Sequence, residues 1–62
     1  MDQTMLTVSV FAPVEGGYRV VFSAFEVDAR DERLVARAID EAMQALRSTP
    51  AAMLIARRHD PR

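Results

Sequence analysis

Tyr18-Arg19-Val20-Val21-Phe22-Ser23-Ala24-Phe25-Glu26-Val27 is the densest β-branched and aromatic run in the chain. Its reading decides the fold. Such residues favour a pleated, half-buried surface, so the run predicts a strand. It sorts into two rows by alternation. Tyr18, Val20, Phe22 and Ala24 form an apolar row, while Arg19, Val21, Ser23, Phe25 and Val27 form a mixed one. Gly16-Gly17 stands before it and an acidic segment, Asp28 to Glu32, follows it. The first marks a turn and the second a helix start.

Upstream, Thr4 to Ala12 alternates in the same way. Leu6, Val8 and Val10 make an apolar row; Thr7, Ser9 and Phe11, with Met5, make a mixed one. This predicts a first strand that Pro13 ends, since proline has no N–H to donate. Pro13 to Gly17 then turns the chain into a hairpin. Strand register is held where one face is buried. The two apolar rows are therefore expected to share a core face.

Downstream, Asp28 reads as an N-cap with Asp31 three residues later. Leu34, Val35, Ala38, Ile39, Ala42, Met43, Ala45 and Leu46 recur at helical spacing, with Arg33, Arg37, Asp40, Glu41, Gln44 and Arg47 opposite. A helix over 29–48 follows, with an Arg37–Glu41 pair on its surface. Pro50 stops it by biasing Thr49 away from the helical region. Ala51 to Arg58 reads as a third strand, with helical continuation as the alternative because alanine, methionine and leucine favour helix. Residues 59–62 read as a loose tail. The expected fold is α+β: a two-layer β-β-α-β domain over residues 1–62, one helix on a three-stranded mixed sheet. The first strand is expected in the middle. The second and third should run parallel through the helical crossover.

Composition excludes much chemistry. The chain has 62 residues, no cysteine and a single histidine. Disulfides and thiolate metal sites are ruled out. No signal-peptide pattern and no membrane-length apolar run is visible, which makes a cytoplasmic protein the expectation. Net charge is -1, giving no global field for nucleic acid. All eight basic residues are arginine, and with the many alanines this is the composition of a GC-rich bacterial or phage coding sequence.

No nucleophile–base pair, P-loop or dinucleotide motif is present, and without lysine no Schiff base can form. His59-Asp60 lies in the expected tail with nothing to hold it in geometry. Asp28, Asp31 and Glu32 could hold magnesium, but capping and the helix dipole account for them. No enzyme, catalytic residue, metal or cofactor is expected.

Two surfaces remain. One helix cannot cover both sides of a sheet, so the mixed row, Phe11, Val21, Phe25 and Val27 with Arg19, is expected to be a protein interface. It also predicts a homodimer that buries this face or pairs a sheet edge. The second surface is Arg57, Arg58 and Arg62, with Arg33, Arg37 and Arg47 on the helix. These are candidate nucleic-acid contacts, interrupted by Asp40, Glu41 and Asp60.

Gly16-Gly17-Tyr18-x-Val20-x-Phe22, followed by a helix with Glu41-Ala42 and Ala45-Leu46, resembles the N-terminal module of HicB-type antitoxins over about half the chain. That family's Pro-Gly loop after the second strand is absent, as is its C-terminal DNA-binding domain. The resemblance implies binding and blocking of a small toxin. The expected function is stoichiometric occlusion of a protein partner by a small inhibitor or antitoxin-like regulator. A phage-encoded inhibitor of a bacterial defence complex, of the anti-CRISPR kind, is one form of it. The alternatives are a dimeric nucleic-acid-binding regulator and a structural subunit of a larger assembly.

Overall fold

The structure is a computed structural model and describes residues 4–59. Strand β1 (Met5–Val14) turns into β2 (Gly17–Asp28), then helix α1 (Glu32–Ser48) and strand β3 (Met53–His59) follow. This is the expected β-β-α-β order in an α+β fold. The sheet order is β2-β1-β3, with β1 in the middle. Both neighbouring pairs are antiparallel, so the sheet is antiparallel rather than mixed. β2 and β3 point the same way but never pair.

The hairpin closes through Glu15-Gly16, with Val14 opposite Gly17. Gly16 has φ 88, where a side chain would strain the backbone. Pro13 lies inside the ladder, opposite Tyr18, instead of ending it. The reason is that β3 reaches only as far as Phe11. Beyond that point β1 is an edge strand, where proline is tolerated.

Two bulges sort β2 differently from simple alternation. Val10 faces Phe22 but Phe11 faces Val20, so Val21 is the extra residue of the first. Val8 faces Ala24 and Leu6 faces Val27, so Phe25 and Glu26 together oppose Thr7 in the second. Residues directly opposite share a face. Phe22, Ala24 and Val27 therefore join Val8, Val10 and Leu6 under the helix, and Val21 also packs there. Tyr18 and Val20 swing to the other face with Phe11.

The second bulge has a clear cause. Unbroken alternation would place the Glu26 carboxylate beside Ala24 in the core, where an unpaired charge is costly. With φ 53 at Glu26, that side chain is exposed and Val27 turns inward. Val21 and Val27, expected at an interface, thus belong to the core side. Arg19 is opposite Ala12, on the helix side of the sheet near the hairpin, and is exposed.

The helix starts later than its sequence predicts. Asp28 ends β2 opposite Met5, and its Oδ1 accepts the Arg30 N–H at 3.0 Å in a local turn. Asp31 is the N-cap, its Oδ1 accepting from the N–H groups of Arg33 at 3.1 Å and Leu34 at 3.2 Å. Ala38 and Ala42 are buried against Val8 and Val10, ringed by Ile39, Ala45 and Leu46. Two alanines let the helix backbone approach the β-branched row closely. Leu34, expected in the core, is exposed. The Arg37–Glu41 pair is not formed; among the described residues the one ion pair is Arg30–Asp28 at 3.7 Å.

Thr49 caps the C-terminus, and Ala52 N–H donates to the Thr49 carbonyl at 3.3 Å across Pro50-Ala51. Ala51 takes φ 60 in that turn, a conformation that favours glycine. Of the expected tail, His59 belongs to β3, opposite Met5; residues 60–62, including Arg62, lie outside the described residues. No helix among the described residues is long and apolar enough to cross a membrane.

Candidate functional site: the open sheet face

The Cα envelope measures 43 × 23 × 10 Å. Its thin dimension is that of two packed layers, about 10 Å apart. The helix covers one side of the sheet, and among the described residues no element covers the other.

Register identifies what that open face carries. From β1 it has Met5, Thr7, Ser9, Phe11 and Pro13; from β2, Tyr18, Val20, Ser23, Phe25 and, at its end, Asp28; from β3, Met53, Ile55, Arg57 and His59. Phe25 is 73% exposed, Tyr18 62% and Val20 54%. The face divides along the strands. Near the hairpin, Phe11, Tyr18, Met53 and Ile55 line a shallow depression with no polar wall. At the other end, Thr7, Phe25, Arg57 and His59 line an amphipathic one. Ser9 and Ser23 join β1 to β2 between them, with their hydroxyls 3.1 Å apart. The His59 Nε2 approaches the Thr7 hydroxyl at 3.5 Å.

The expected interface is therefore only partly assembled here. Phe11 and Phe25 are on the open face. Val21, Val27 and Arg19 are not, for the reasons of register given above. Tyr18 and Val20, read from alternation as core, take their place, and β3 adds Met53 and Ile55. Glu26 was the available signal for β2. It sits in the row that alternation assigns to the core, so a bulge had to precede Val27.

The described members of the basic set do not share one face. Arg57 lies opposite Thr7 on the open face, while Arg58 lies opposite Leu6 on the helix side. Arg33, Arg37 and Arg47 are exposed on the helix.

A further concavity at the β2–α1 junction is lined by Asp28, Arg30, Asp31, Glu32 and Arg33. Its aspartates already serve the turn and the cap. Among the described residues no group of three or more histidine, aspartate or glutamate side chains is placed to hold a metal ion. Comparison of the chain with protein-family models, curated proteins and solved structures gave no match.

Proposed function

We propose that this protein binds a protein partner through its open sheet face and acts by stoichiometric occlusion, as a small inhibitor or antitoxin-like regulator. The observation that carries the reading is the row of exposed Tyr18, Val20, Met53 and Ile55 around a half-buried Phe11, with Phe25 standing beyond it. Apolar aromatic surface rimmed by polar groups is the anatomy of a binding patch. A broad side of 43 × 23 Å is large enough to supply the about 800 Å² per partner of an ordinary protein interface. Arg57 and His59 at one end would orient the partner. Nothing in this reading requires catalysis.

Phe25→Ser is the direct test. Phe25 is exposed, so the variant is expected to melt at the wild-type temperature. Bait carrying Phe25→Ser should lose a partner that wild-type bait retains from a host lysate in one-to-one ratio. Identical retained proteins on both baits would remove the face from the function.

A second reading has one observation in its favour. Phe25 lies beside Arg57 and His59 on an exposed sheet that also carries Phe11 and Tyr18. Aromatics on a sheet are a stacking platform for single-stranded nucleic acid. Among the described residues the face holds one arginine, Arg57, which favours the protein partner. Salt-dependent binding of an oligonucleotide would reverse that preference.

A further inference from the structure

We propose that two copies of this chain join edge to edge through β3, in an antiparallel register centred on Ala56, to form a continuous six-stranded sheet. This is independent of what the open face binds.

The two edges of the sheet differ. The β2 edge is interrupted by the bulges at Val21 and at Phe25-Glu26, and Glu26 has φ 53. Bulges and twist are how sheets guard an edge against pairing. The β3 edge has no bulge. Its register with β1 runs unbroken from Met53 to His59, so the strand presents an uninterrupted row of backbone groups outward. It contains no proline. The helix packs chiefly over β2 and β1, and β3 is exposed at every residue except Leu54. This is an open template for another strand.

The sequence of β3 says which strand fits. Full overlap of two antiparallel copies puts Ala56 opposite Ala56, Ile55 opposite Arg57, Leu54 opposite Arg58 and Met53 opposite His59. Both members of each pair then lie on the same face, so the open faces of the two copies merge. No arginine meets an arginine directly across. Centring the pairing on Arg57 instead would set like charges opposite one another, which is destabilising. The small Ala56 side chain, exposed on the helix side, leaves the axis unobstructed. A net charge of -1 per chain opposes association only weakly.

The test uses the full chain. Wild type is expected to sediment at twice its 6.9 kDa mass, with a melting midpoint that rises over a hundredfold range of concentration. Ala56→Cys introduces the only cysteine. Opposite Cα atoms in an antiparallel pair lie about 4.5–5.5 Å apart, within the range a disulfide spans. Mild oxidation should therefore link nearly all of it as dimer. Ala56→Glu places two carboxylates together on the axis and should shift the mass to monomer with unchanged far-UV dichroism. Monomeric wild type at every concentration would overturn the proposal and leave β3 for a foreign strand. A dimer that Ala56→Cys fails to link, or that Ala56→Glu fails to weaken, would overturn it in favour of open-face pairing. Dimer linkage by Ala56→Cys alone would support it even if Ala56→Glu did not fold.

Discussion

Val8→Asp is expected to leave the chain without a cooperative unfolding transition. Val8 is 0% exposed. It sits on the central strand between Ala24 and Ala56 and clusters with Ala38 and Ala42 of the helix. Its environment is apolar, with only hydrophobic side chains in its cluster among the described residues. The substitution removes about 1.5–3 kcal/mol of apolar burial and adds the larger cost of desolvating a charge or a protonated acid. Small domains have total stabilities near the low end of about 5–15 kcal/mol, so the loss is of the order of the whole. Urea titration followed by far-UV dichroism checks this: wild type should show a sigmoid and Val8→Asp a featureless slope. A sigmoid in both would mean that Val8 is not at the centre of the core.

The second large effect is at Ala42. This residue is also 0% exposed and belongs to the same cluster as Val8 and Val10. Leucine is nearly as good a helix former as alanine, so local propensity predicts little change for Ala42→Leu. Packing predicts otherwise. The added atoms meet β-branched side chains on the central strand and must lift the helix or force poor rotamers, at about 1–3 kcal/mol. The urea midpoint should fall with the slope unchanged, because the fold is kept and its stability reduced. An unchanged or higher midpoint would show that the helix stands further from the sheet.

Most of the architecture was legible in the sequence because its signals are local. Alternation in Thr4 to Ala12, helical spacing from Leu34 to Leu46 and the Gly16-Gly17 turn each identify an element without reference to the others. The middle position of β1 also agrees with its sequence expectation. The faces of β2 do not, because alternation assumes one residue against one. Two bulges break that assumption, and they moved Tyr18 and Val20 out, Val27 in and Val21 onto the core. The helix starts later than its local signals indicate for a related reason. Asp28 and Asp31 are both good caps, and only the pairing of Asp28 with Met5 keeps the first of them in the sheet. On the open face, Phe11 and Phe25 could be named in advance. Met53 and Ile55 could not, because their face depends on the register of β3 against β1.

The central claim is that the bulges divide the aromatic residues of the hairpin, leaving Tyr18 and Phe25 on a bare face and Phe22 beneath the helix. Hydroxyl-radical footprinting, read residue by residue against the urea-unfolded chain, measures this directly. Tyr18 and Phe25 should be modified at close to their unfolded rates, and Phe22 should be strongly protected. Equal protection of Tyr18 and Phe22 would contradict the account, because it would restore the simple alternation of β2 and return Tyr18 to the core.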